Sequence, residues 1–166
     1  LNSKNALKFE NTYWWDFAEN TGYAVALKFS TEGAGANLSL NFTNSQGNAG
    51  GTSIYGPVYW QVEYSTDGVN FTVLPESGFC CRPFVYWQGD LSYCAVPGYA
   101  DRVFILPDAL RNRPEVTLLI KARSTQCIAS NTATVDQGDT GTITSDMAAN
   151  KRSPMRFGTI AVKSNK

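Results

Sequence analysis

The sequence predicts an all-β fold, an antiparallel β-sandwich, and three observations predict it. In the stretch from Val58, the residues Val58, Trp60, Val62 and Tyr64 fall on one side of an extended strand, and Tyr59, Gln61 and Glu63 fall on the other. Asp67-Gly68 then reverses the chain, because glycine takes positive φ at no steric cost, and Phe71 to Leu74 resumes as the return strand. The same period-two alternation recurs elsewhere, whereas helical periodicity is almost absent.

Near the N-terminus, Leu7-Lys8-Phe9 and Tyr13-Trp14-Trp15-Asp16-Phe17 offer one or two strands. Tyr23, Val25, Leu27 and Phe29 alternate with Ala24, Ala26 and Lys28, and after a Gly-containing turn Leu38, Leu40 and Phe42 alternate with Ser39 and Asn41. Residues 44–56 are rich in Gly, Asn and Ser and read as a loop preceding the Val58 hairpin. Residues 75–102 show no clean period. Val103 to Leu106 is a strand, and Pro107 to Asn112 is a single helical turn that Pro114 stops. Val116, Leu118, Ile120 and Ala122 mark a further strand. Residues 124–154 form a long loop with room for one short strand, and Met155 to Lys163 closes the domain. The count is roughly seven to nine strands, by the usual strand lengths. The residues expected inside are Tyr23, Val25, Leu27, Phe29, Leu38, Leu40, Phe42, Trp60, Val62, Leu118 and Ile120.

Composition narrows function by exclusion. The 166 residues suit one domain with a true core, and 43% hydrophobic against 17% charged residues argues against disorder. Fourteen basic residues balance fourteen acidic ones with no Lys/Arg block, so a nucleic-acid partner is not expected. No apolar run reaches the roughly 20 residues of a membrane-spanning helix. Leu1-Asn2-Ser3-Lys4 does not read as a signal peptide, so an exported protein would be present here as a mature form or an excised domain. The chain has no histidine, which removes Ser-His-Asp and Cys-His catalysis and most imidazole-based zinc sites.

Four cysteines, Cys80, Cys81, Cys94 and Cys127, fit disulfides in an oxidising compartment. Three connectivities are open, with a Cys80–Cys81 bridge the most strained. The expectation is at least one bridge, from Cys94 or Cys127 to Cys80 or Cys81; buried thiols are the alternative.

The order of Leu27-Lys28-Phe29-Ser30-Thr31-Glu32-Gly33, Trp60 to Phe71, Leu106-Pro107-Asp108-Ala109-Leu110, Val116 to Ala122 and a closing Arg156-Phe157-Gly158-Thr159-Ile160-Ala161-Val162 resembles a known class. It is similar to the galactose-binding-like jelly-roll modules near the C-termini of secreted and surface proteins of Bacteroides-type bacteria, over about residues 23–163. The resemblance implies an accessory, non-enzymatic domain on an exported protein, many of whose relatives bind carbohydrate. The cysteine-bearing segment 75–102 and the loop 124–154 are both longer than such modules usually carry, so only the fold and the general role transfer.

Two functional expectations follow: a carbohydrate- or surface-binding module, or a structural or protein-interaction domain with no small ligand. The irregular segment holds Phe79, Phe84, Tyr86, Trp87, Tyr93 and Tyr99 among Arg82, Asp90, Asp101 and Arg102. Flat rings beside charged groups suit a sugar, whose apolar face stacks while its hydroxyls bond. A satellite core beneath the loop is the favoured reading of these rings. Should they form a glycan site, Trp87 and Tyr86 come first, supported by Tyr93, Asp90 and Arg82. Of the adjacent Trp14 and Trp15, one is expected in the main core and the other under a loop. No cofactor motif is present. Of the metals, a tetrathiolate zinc site lacks two C-x₂-C knuckles, and calcium at Asp136 and Asp139 near Asp146 lacks EF-hand order, so solvated turns are the expected reading. The acidic residues show no obvious glycosidase pair, so no enzyme is expected. Three Asn-X-Ser/Thr triplets, at Asn37, Asn41 and Asn70, carry little weight in an Asn- and Thr-rich sheet protein.

Overall fold

Alternating burial along the strands divides the chain between two antiparallel sheets. The computed structural model describes residues 7–9, 14–46, 56–81, 86–87, 94–95, 100–128, 140–145 and 155–164. The first sheet runs β1 (Leu7–Phe9), β15 (Met155–Ser164), β5 (Leu38–Gln46), β11 (Ala100–Ile105) in spatial order. The second runs β4 (Ala24–Phe29), β12 (Val116–Ala122), β6 (Tyr59–Ser65), β7 (Thr72–Val73), with β8 (Phe79–Cys80) also paired to β6. Three small hairpins decorate these sheets: β2 (Trp15–Asp16) with β3 (Thr21–Gly22), β9 (Tyr86–Trp87) with β10 (Cys94–Ala95), and β13 (Gln126–Ile128) with β14 (Thr140–Thr142).

The core lies between the two sheets. Leu40, Phe42, Met155 and Phe157 of the first meet Trp60, Val62, Leu118 and Ile120 of the second, all buried in one cluster. Each such side chain contributes about 1.5–3 kcal/mol through removal of its apolar area from water. The ring of Phe42 stands edge-on to Phe157 of its own sheet at 5.5 Å and to Phe79 at 5.8 Å, the latter contact joining the two sheets. Registers are set by these inward residues, since a one-residue slip would turn every one of them to solvent. Between Phe157 and Ile160 the β15 strand bulges: it advances three residues while β5 advances two, from Asn44 to Phe42.

The hairpin after β6 turns at Gly68, whose φ is +73°. Asp67 builds that turn, its carboxylate accepting from the Ser65 hydroxyl at 2.8 Å and from the Val69 and Asn70 amides at 2.9 and 2.8 Å. Those donors, the Asn70 side chain first, hold the Asp67 carboxyl well below the usual carboxylate range. After β11, Asp108–Leu110 forms the expected single turn, of 3₁₀ type, with Leu110 buried.

Several expectations need correction. Tyr23 is not core: it precedes β4, is 42% exposed, and its hydroxyl donates to Asp16 Oδ2 at 3.3 Å. Leu27 and Phe29 are only partly buried, because β4 is an edge strand. The return strand after Gly68 is two residues long, with only Leu74 turned inward. The segment 75–102 holds β8, β9, β10 and the start of β11, and 124–154 holds two strands rather than one. Elements of two or three residues are too short to display a period.

Among the described residues there is no disulfide: Cys81 and Cys127 are thiols, and the Cys94 side chain lies outside the described residues. Geometry explains why Cys81 and Cys127 do not meet. The Cys81 amide donates to the Val58 carbonyl, and the Val58 amide donates to the Gln126 carbonyl, so a strand's width of chain lies between them. Two strand spacings are about 9.5 Å, beyond the roughly 7 Å over which two cysteine Cα atoms can be bridged. Cys81 instead lies in the main core and Cys127 in a satellite cluster with Ile143 and Trp15, and burial raises both thiol pKa values. The Cys81 sulfur accepts from Asn44 Nδ2 at 3.6 Å, and Asn44 Oδ1 accepts from Arg102 Nε at 2.9 Å.

Candidate functional site

Of the residues expected to form a loop site, Phe79, Tyr86, Trp87, Asp101 and Arg102 fall among the described residues. Phe79 is core, with the Arg102 guanidinium 4.9 Å above its ring. Arg102 also donates from Nη2 to the Cys80 carbonyl at 2.8 Å, so it acts as a brace between sheets. Asp101 is exposed on the first sheet's outer face. Tyr86 and Trp87 form β9, paired with Ala95 and Cys94. Arg82, Asp90 and Tyr93 lie outside the described residues, as do Asp136, Asp139 and Asp146. Among the described residues no group of three His, Cys, Asp or Glu side chains could hold a metal ion, and no helix is long and apolar enough to cross a membrane.

The tryptophan pair separates as expected, but by a different device. Trp14 sits outside any strand with φ of 55°, a conformation that bulky residues rarely adopt. That twist sends its ring into the main core, edge-on to Trp60 with centroids 5.2 Å apart. Trp15 opens β2 and is only partly buried, packed between the main core and the satellite pair Cys127 and Ile143. Its indole Nε1 is buried and has no hydrogen-bond partner. A buried donor left unpaired costs about 1–3 kcal/mol, so this atom calls for an explanation.

Trp15 also lines a polar cleft of about 250 Å³. The β2–β3 hairpin forms one wall, contributing Trp15, Asn20, Thr21 and Gly22; the outer face of the second sheet forms the floor, contributing Gln61, Glu63, Lys121 and Arg123. The hairpin is held tightly to that sheet. A Cβ on Gly22 would collide with the Ala122 carbonyl, so only glycine allows the approach. Asp16 organises the tip: its Oδ1 accepts from the Ala18 amide at 2.9 Å and the Glu19 amide at 3.1 Å, and Asn20 turns the chain with φ of 49°.

The floor follows from register. Lys121 stands opposite Gln61 and Leu119 opposite Glu63, which makes Lys121 and Glu63 diagonal neighbours on one face. Lys121 Nζ lies 3.7 Å from Glu63 Oε2, and Gln61 Nε2 donates to Glu63 Oε1 at 2.8 Å. Both oxygens of this carboxylate are therefore engaged. Arg123 lies one strand end away, with its guanidinium 6.0 Å from the Tyr59 ring centroid.

Alternation along the Val58 segment puts Gln61 and Glu63 on the side away from Trp60 and Val62. It does not bring β6 and β12 side by side, because register is set across the sheet rather than along it. No family model matches this chain, and neither curated proteins nor solved structures give a match.

Proposed function

With the cleft as premise, we propose that the chain is a non-catalytic accessory domain of a secreted or surface protein that binds carbohydrate beneath the β2–β3 hairpin. On this reading the sandwich is a galactose-binding-like jelly roll. The observation that carries it is the flat face of Trp15 in the wall of a cleft otherwise built from amide, hydroxyl and charged side chains. Sugar sites combine an aromatic surface with a few placed polar groups, and the cleft supplies both. A non-catalytic role is supported by the cleft's single carboxylate, Glu63, which is already taken up by Gln61 and Lys121. Glycoside hydrolysis ordinarily uses two.

A glycan array followed by titration calorimetry of each hit tests the reading. Binding should perturb the Trp15 indole resonance, and Gln61→Ala should weaken it about tenfold, the loss of one good hydrogen bond. The thermal midpoint should hardly move, since Gln61 is on the outer face.

A second reading, a protein-interaction domain, has its own observation. The sandwich is open along one side, where Leu27 and Phe29 of β4 face Ile160 and Val162 of β15 across adjoining concavities of about 420 and 400 Å³. An extended partner segment suits such a seam, because a strand can add to an unpaired edge. An array without hits, with the indole resonance unmoved, would transfer the case to this reading.

A further inference from the structure

We infer that the ligand of this cleft is an acidic glycan, one whose carboxylate or sulfate group is taken by Arg123; the inference rests on the carbohydrate reading above. It comes from balancing donors against acceptors. Neutral sugars are rich in hydroxyl donors, and sites for them need open acceptors, most often carboxylates. Here the one carboxylate lining the cleft is already shared: Glu63 Oε1 takes the Gln61 amide at 2.8 Å and Oε2 faces Lys121 Nζ at 3.7 Å. Donors stand beside it: the Asn20 amide and Thr21 hydroxyl on the hairpin wall, and the Arg123 guanidinium with up to five N–H groups.

Charge points the same way. Two cations, Lys121 and Arg123, and one anion, Glu63, line the cleft, which leaves a net charge of +1. Lys121 is neutralised by its ion pair, so the excess belongs to Arg123. Among the described residues no carboxylate lies within ion-pair distance of that guanidinium. Its backbone amide donates to the Tyr59 carbonyl at 3.0 Å, and the exposed guanidinium lies 6.0 Å from the Tyr59 ring centroid. A planar fork lacking an anion is the usual receptor for a carboxylate or sulfate. A sugar bearing such a group would anchor there and reach along the floor toward Gln61 and the hairpin.

The test compares three tetrasaccharide probes on the intact protein by calorimetry: tetragalacturonate, a sulfated galactan tetrasaccharide and neutral galactotetraose. Sodium acetate and sodium sulfate serve as controls. The expected result is that at least one charged probe binds ten times or more tighter than the neutral one, and that added salt weakens it. Arg123→Gln should remove that advantage, a loss of about 10- to 100-fold for a charge-assisted bond, while Arg123→Lys retains part of it. The two charged arms separate a carboxylate preference from a sulfate preference. Equal affinity for the neutral probe would overturn the acidic assignment and leave carbohydrate binding standing. Preference for charge that survives Arg123→Gln would overturn the assignment to Arg123. Acetate or sulfate binding as well as the charged sugars would reduce the site to simple ion attraction. Failure of all three probes, on a protein that also shows no array hit, would remove the carbohydrate reading itself.

Discussion

The inner and outer faces of the second sheet are made from the same strands yet satisfy their polar atoms to different degrees. On the inner face Trp60 is fully buried, and its indole N–H donates to the Pro57 carbonyl at 2.8 Å. On the outer side Trp15 is also packed against apolar neighbours, but its indole N–H is buried without an acceptor. The backbone around Trp15 adds a further cost, since Trp14 and Asn20 both hold positive φ. Stability alone explains the inner arrangement. It does not explain the outer one, where an unpaired donor, backbone strain and a polar cleft coincide; such costs gather where a ligand is to be met.

The sharpest way to break the comparison is to remove the inner indole. Trp60→Ala should cost about 3–5 kcal/mol, the range for deleting a buried aromatic ring. Urea denaturation followed by circular dichroism reads it. Trp60 touches Trp14, so the variant should also loosen the segment leading into the β2–β3 hairpin. A loss below about 1 kcal/mol, the level of surface changes, would mean the inner face is not the chain's stabilising surface.

A middle-sized effect is expected at the joint between the faces. Gly22→Ala drives a methyl group into the Ala122 carbonyl, which is backbone and cannot swing aside. The hairpin must lift or the strand must shift, at about 1–3 kcal/mol for an overpacked contact. Because the hairpin carries Trp15, Asn20 and Thr21, glycan binding should fall further than stability does. Unchanged stability together with unchanged Trp15 fluorescence would show that the hairpin is not docked through this glycine.

The sequence made the two faces legible separately. The alternation of Trp60 and Val62 with Gln61 and Glu63 was visible in the Val58 segment, and burial follows it residue by residue. Leu118 and Ile120 were equally plain. Edges were not legible: nothing within Tyr23-Ala24-Val25 says that β4 borders the sheet, and this is why Tyr23 lies outside and Leu27 is half-covered. The cleft was illegible for the same reason, since Lys121 meets Glu63 only through a pairing between strands some sixty residues apart. Abundance of aromatic residues points to residues 79–99, where Phe79 is spent on the core and Arg82, Asp90 and Tyr93 lie outside the described residues. The cysteine count misleads, since an even number is compatible with bridges but a strand's width of chain separates Cys81 from Cys127.

The smallest expected effect sharpens the comparison most. Trp15→Phe keeps an aromatic ring against Cys127 and Ile143 and deletes the N–H. Two terms then oppose each other. The smaller ring gives up apolar contact, which for an indole-to-phenyl change in a half-buried site is about 1 kcal/mol. Removing a buried donor that has no partner recovers about 1–3 kcal/mol of desolvation cost. The thermal midpoint should therefore stay level or rise slightly, whereas Trp60→Phe, which strands the Pro57 carbonyl as well as shrinking the ring, should lower it clearly. Calorimetric scans of the two variants side by side read this difference. A fall in midpoint for Trp15→Phe as large as that for Trp60→Phe would mean that the Trp15 N–H is already paired in solution, and the contrast between the two faces would disappear with it.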